Sequence, residues 1–415
     1  MTAQPISLLR GATLIDGAVV DVRIAGGIIT SVTPADPAAQ DGIDLQGHLL
    51  MTAPAEPHAH LDKALSWDAL QPPLGDLNDA IAAWKAGSVR FDEANFRGRA
   101  REAALAALRN GTTAVRTHVD VLAGDDPLRG IRAVDAVRRE LAEVMDIEIV
   151  ALIKAYSDTG LLYAALDAGA DLVGGSPHNA PDPAAELHRL LGVAEDRGVG
   201  ADLHTDEFLF GDHITIADYA QRAGRWPQGR TRTASHCTRL GTMSADELAV
   251  LLPQLAAAGL GVVTNPITNL YLQGRDTPVA TPRGITAIAA LQHAGVPVAA
   301  GADNVRDPFN PLGRSDALET AMLAVTAGHV HPEVALDMVT DRARVVMGLP
   351  QAGPHVGARA DLLAVRGTSA AEVIGTAPAD RVVIHRGMMV ARSQTSHWQA
   401  WSEHANAGVP LAHRH

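Results

Sequence analysis

The sequence predicts an α/β fold: a (β/α)8 TIM barrel with a small β-sandwich domain formed by both chain ends. Three observations predict it. Between residues 49 and 300, eight short apolar runs alternate with Ala-rich stretches of helical texture. Gly follows several of those stretches (Gly111, Gly198, Gly259, Gly295), where a helix C-terminal cap belongs. Both ends of the chain instead alternate apolar and polar residues with period two.

The first segment, 8–24, alternates and is punctuated by Asp16-Gly17 and Gly26-Gly27, which marks antiparallel strands and tight turns. Strands are then expected at 49–53, 114–119, 148–153, 172–174, 200–203, 231–235, 260–264 and 296–300. The helices between them include 91–110, 129–144, 184–197, 214–223, 245–258 and 285–293. The two-residue period returns at 360–365, 382–387 and 388–391. Residues 1–52 and 353–395 are therefore expected to form the β-sandwich, residues 53–352 the barrel, and 396–415 a helical or loose tail.

Composition narrows the function. The chain has 415 residues, 47% of them hydrophobic, and a formal net charge of −13. That acidity argues against nucleic acid or an anionic membrane as partner. Aromatic residues make up 3%, too few for a base-stacking platform. No apolar run approaches the ~18 residues of a membrane span, and the first residues carry no signal-peptide pattern. Cys237 is the one cysteine. It leaves no intramolecular disulfide and no Cys-rich zinc site, and a cytoplasmic location is expected. Lysine occurs only at 63, 85 and 154.

A barrel's active site lies at the C-terminal ends of its strands. There the sequence places His58 and His60, then Arg116-Thr117-His118-Val119-Asp120, Lys154, His204-Thr205-Asp206-Glu207, Ser235-His236-Cys237 and Ala302-Asp303-Asn304. Each has an ordinary reading when taken alone. A single His204 is a satisfied core histidine, Glu207 a surface charge, and Asp303 a helix N-cap. Six strand ends carrying metal-competent side chains in order are hard to reconcile with all of those readings together.

These segments resemble the amidohydrolase superfamily, within it the cytosine deaminase branch. The matching pieces are Glu56-Pro57-His58-Ala59-His60-Leu61-Asp62, Arg116–Val121, His204-x-x-Glu207 and Ala234-Ser235-His236. Asn265-Pro266-x-x-Asn269-x-x-Leu272-Gln273-Gly274-Arg275 and Asp307-Pro308-x-x-Pro311-Leu312-Gly313 complete them. The resemblance implies that His58, His60, His204 and Asp303 hold one divalent metal ion, zinc or iron, whose role is to make a water acidic. It implies that Glu207 shuttles a proton, that Asp303 takes the water's proton, and that His236 orients the attacking oxygen. The implied reaction is hydrolytic deamination of a small, pyrimidine-like nitrogen heterocycle, with ammonia released. A homo-oligomer is implied as well. His118 reads either as a support for a ligand or as a substrate contact, His178 as part of the pocket wall, and Cys237 as inert packing.

Two departures bear on substrate. Lys154 stands where cytosine deaminases carry a glutamine, and Asn304 where they carry a second aspartate; Phe309 replaces a tryptophan over the base. An ammonium only donates hydrogen bonds. These changes point toward a carbonyl-rich or acidic heterocycle. Asp303-Asn304 and Asp62-Lys63 also resemble N-isopropylammelide-type triazine hydrolases. Release of an alkylamine, or opening of a cyclic amide, is thus the alternative reading. A carboxylated Lys154 bridging two metals and a non-catalytic scaffold are further alternatives.

Overall fold

The computed structural model describes residues 4–211 and 213–396. Eight strands run parallel in sequence order: Ala55–Ala59, Ala114–Asp120, Asp146–Ile153, Leu172–Gly175, Ala201–Thr205, Arg232–His236, Gly261–Thr264 and Val298–Ala300. The sheet curls until its first and last strands meet. There the Asp303 N–H donates to the His58 carbonyl at 2.9 Å, and Ala59 bridges Asp303. The predicted barrel is therefore present.

Helices cover its outside. Ala245–Ala258 illustrates why they form where they do. Ser244 and Glu247 make a reciprocal capping box at its start, and Gly259 ends it at φ 63°. The helix Leu77–Gly87 escapes the sequence pattern. It starts on an Asp76/Asp79 capping box and packs Trp84 against the barrel mouth.

The chain ends meet in one nine-stranded sheet. His48–Thr52 pairs antiparallel with Leu362–Arg366, which joins the N-terminal strands to Arg381–His385 and Met388–Ser393. This corrects one expectation. The apolar run 49–53 is not the first barrel strand. It lies between two cores: Leu49 and Met51 pack into the barrel's core, Leu50 into that of the end sheet. Burial on both faces gives the continuous apolar run that also marks a parallel barrel strand, so the pattern cannot separate the two. The true first strand, Ala55-Glu56-Pro57-His58-Ala59, is polar and carries a proline. The expected tail lies, from residue 397 onward, outside the described residues.

Candidate active site

His58 is the last residue but one of the first barrel strand, and His60 follows it. His204 sits near the end of the fifth strand, His236 ends the sixth, and Asp303 follows the eighth. The barrel aims all five inward. His60 Nε2 lies 3.2 Å from Asp303 Oδ1 and 3.3 Å from His204 Nε2. His58 Nε2 is 3.6 Å from the same Asp303 oxygen, and His236 Nε2 is 3.9 Å from Asp303 Oδ2. None is more than 8% exposed. His236 and Asp303 adopt left-handed backbone angles, φ 70° and 61°. Such strain gathers at working sites.

This set fits a divalent cation. Both ring nitrogens of His58 and both oxygens of Asp303 are buried without a hydrogen-bond partner. Leaving such atoms unpaired costs roughly 1–3 kcal/mol each. Donor atoms of His58, His60 and His204 lie within 4.8 Å of one another, as do those of His58, His236 and Asp303. His60 Nδ1 stands 3.0 Å from the His118 carbonyl. Donation of that N–H leaves the Nε2 lone pair facing inward. Burial, then mutual repulsion among the rings, holds His58 and His204 well below the usual imidazole pKa. Burial and the Lys63 ammonium do the same to His60. Neutral imidazole is the metal-binding form.

Glu207 lies beside this cradle. Its Oε1 accepts from Asn269 Nδ2 at 3.1 Å and faces His236 Nδ1 at 3.1 Å. Burial, with the Asp303 charge behind it, pushes the Glu207 carboxyl well above the ordinary carboxylate range. Burial also lowers His236 to about 4.

A cavity of about 320 Å³ opens onto these groups. Leu77, Ile81, Trp84, Leu272 and Phe309 form its apolar walls, and Lys154, Ser176 and Asn179 stand on another side. Lys63 is buried against it, 2.7 Å from Asp120. The Trp84 indole donates to the other Asp120 oxygen at 2.9 Å. Lys154 is exposed, with no carboxylate in ion-pair range among the described residues. Asn304 lines the cavity while its amide donates to Asp307 at 2.7 Å.

The structure thus brings His58, His60, His204, Glu207, His236, Asp303, Lys154, Asn304 and Phe309 to one place. His178 is not in the cavity wall. The short turn Pro177–Asn179 sets its Nδ1 3.1 Å from the His204 carbonyl and its ring 5.9 Å from that of Phe208. Asn269, Trp84 and Asp120 had no role assigned from sequence. Asn269 was signalled only by its place in the Asn-Pro-x-x-Asn motif.

The model of the amidohydrolase family matches residues 92–390, well over half of the chain. The chain belongs to the amidohydrolase family. It is accordingly a hydrolase of carbon–nitrogen bonds other than peptide bonds. This amidohydrolase is 31% identical over 387 residues to a pterin deaminase of Rhizobium rhizogenes, spanning 90% of the chain and 88% of that protein. It is 24% identical to an N-isopropylammelide isopropyl amidohydrolase of a Pseudomonas species, spanning 93% of the chain and 97% of that protein. Among solved structures, 5-methylcytosine deaminase of Klebsiella pneumoniae with 5-fluorocytosine superposes with TM-score 0.86. The identity is 28%, and the match covers 94% of the chain and 99% of that one. The resemblance to the cytosine deaminase branch and to the ammelide hydrolases is borne out. No helix among the described residues is long and apolar enough to cross a membrane.

Proposed function

We propose that this amidohydrolase deaminates a small nitrogen heterocycle hydrolytically, at an amidine-type carbon of a pyrimidine-like ring. One observation carries the reading: His60, His204, His236, the Asp303 carboxylate and the Glu207 carboxyl, all buried, line one cavity of about 320 Å³, with His58 directly behind them. His58, His60, His204 and Asp303 would hold the divalent cation. That ion, zinc or iron, supplies the Lewis acidity that lets water ionise near neutrality.

The chain's own groups account for the rest. Asp303 accepts the proton that the attacking water gives up. Glu207, whose proton burial holds more tightly than an ordinary carboxyl's, passes it to the ring nitrogen and then serves the departing amine. His236 orients the attacking oxygen, with Asn269 and Glu207 fixing its other edge. The carbon gains a bond to oxygen and loses its exocyclic nitrogen. One hydrogen of water leaves with ammonia, and the other stays on the ring nitrogen.

The finer substrate reading rests on Lys154. An unpaired ammonium at the cavity's edge favours a ring with a carbonyl or acidic edge over cytosine. The Asn304 amide, already committed to Asp307, leaves its oxygen for the substrate. The likeness to ammelide hydrolases supports a second reading, release of an alkylamine from an oxidised triazine-like ring. Ammonia and amine release, assayed over pyrimidines, triazines, pterins and carboxylated heterocycles, tests both. Ammonia from a carbonyl-rich or carboxylated ring is the expected result, and Lys154→Gln should shift preference toward neutral rings. Unchanged relative rates across the panel would remove Lys154 as the selector. No release from any ring would overturn the deaminase reading.

A further inference from the structure

Below the cradle the barrel interior is polar where branched apolar side chains usually fill it. Arg116 and His118 point inward from the second strand, Asp202 from the fifth, and Thr233 and Ser235 from the sixth. All five are completely buried. They form a chain of contacts. Arg116 donates to Asp202 at 3.0 Å, to Thr233 at 3.0 Å, to the Met347 carbonyl at 3.1 Å and to Glu148 at 2.6 Å. Ser235 donates to the second Asp202 oxygen at 2.8 Å. That same oxygen lies 3.5 Å from His118 Nε2. The His118 ring in turn lies over His58, with centroids 4.0 Å apart and planes tilted 33°.

We propose that His118 is a positioning residue that sets the orientation of His58, with Asp202 and Arg116 as its anchor. The inference rests on the reading of His58 as a metal ligand. Four features support it. Of the four imidazoles around His58, the His118 ring lies nearest, and His58 is the one histidine of the cradle whose two nitrogens have no hydrogen-bond partner among the described residues. His60, by contrast, is held through its own Nδ1. Asp202 lies two residues before His204 on the same strand and face, and Ser235 immediately precedes His236, so the anchor shares its strands with the site. Finally, a buried ion pair contributes less to stability than well-packed apolar residues of like volume. A layer with only a packing role would have no need of Arg116 and Asp202.

Metal retention tests the proposal without assaying turnover. Protein loaded with one equivalent of zinc is titrated with a chelator, and cobalt-loaded protein is followed by its visible absorption. His118→Phe keeps a flat ring over His58 but loses the Asp202 contact. His118→Gln keeps a donor at the reach of Nε2 for Asp202 but loses the ring. Each should weaken metal retention by about ten- to a hundredfold and alter the cobalt spectrum, with melting of the metal-free protein unchanged. Ser235→Ala, which removes one bond to Asp202 and leaves Arg116 in place, should weaken retention in the same direction by a smaller factor. Wild-type retention and spectrum in all three variants would overturn the proposal, as would lower melting with retention intact. Wild-type protein that takes up no zinc would remove the cradle itself, a failure distinct from that of the clamp.

Discussion

Glu207 takes its proposed role from its surroundings. An exposed glutamate is ionised at neutral pH and has no proton to give. Burial and the neighbouring Asp303 raise this carboxyl well above the ordinary carboxylate range, while the Asn269 N–H pulls the other way. Glu207→Gln preserves shape and the Asn269 contact but cannot ferry a proton. It should retain metal by elemental analysis and lose turnover by roughly a hundredfold or more; near-normal ammonia release would take Glu207 out of the mechanism. The proposed ligands were readable in sequence as metal-competent residues at or just past expected strand ends, which face the barrel mouth. Asn269 was not given a role, because an asparagine in a helix reads as any solvated polar residue. Only the fold turns Pro266–Leu272 toward Glu207. Likewise, nothing in Ser176-Pro177-His178 states which way the short turn swings the His178 ring.

At the level of elements, the seam between the first and eighth strands does the positioning. Here the eighth strand stops at Ala300, and the Glu56 carboxyl takes over, accepting from His58 N at 3.0 Å and from Ala302 N at 3.0 and 3.1 Å. Desolvation raises Glu56 to about 8, against the pull of the His58 and Ala302 N–H donors. Gly301 makes room for it: a Cβ there would stand 2.8 Å from Glu56 Oε1 and 2.8 Å from Asn265 Oδ1. Gly301→Ala should therefore destabilise the fold by about 1–3 kcal/mol in denaturant titrations. It should also loosen metal retention, because His58 and Asp303 flank the seam. Unchanged stability and retention would show that the seam absorbs a methyl group freely. The same seam explains the misplaced first strand. Its sequence, with Glu56, Pro57 and His58, obeys the demands of the site and breaks the apolar pattern by which strands are recognised.

For the whole molecule, the question is what holds the end sheet to the barrel. The two-residue period at both termini made the sheet's membership legible, but not its docking. That contact depends on charges far apart in sequence. Asp361, fully buried just before Leu362, faces Arg344 at 3.1 Å, from the helix Asp341–Met347, the third after the eighth barrel strand. It also faces Arg359 at 2.5 Å and His385 Nδ1 at 3.1 Å, the latter from the end sheet. Arg359 continues to Asp146 at 2.9 Å, where the third barrel strand begins. Burial alone would raise the Asp361 pKa, but His385 and the two guanidinium groups outweigh it and depress the carboxyl below its ordinary range. A carboxyl with a lower pKa folded than unfolded binds fewer protons in the native state. Its stabilisation is then complete above the unfolded value of about 4 and is lost as pH falls below it. Asp361→Asn should cost about 3–5 kcal/mol at pH 7, since it strands Arg344 in the interface. It should also flatten the acid limb: between pH 6 and 3, urea midpoints of the variant should fall less steeply than those of the wild type. Parallel slopes would show that some other carboxylate governs acid sensitivity, and that the end sheet is held to the barrel chiefly by apolar packing of residues such as Leu49, Met51 and Leu363.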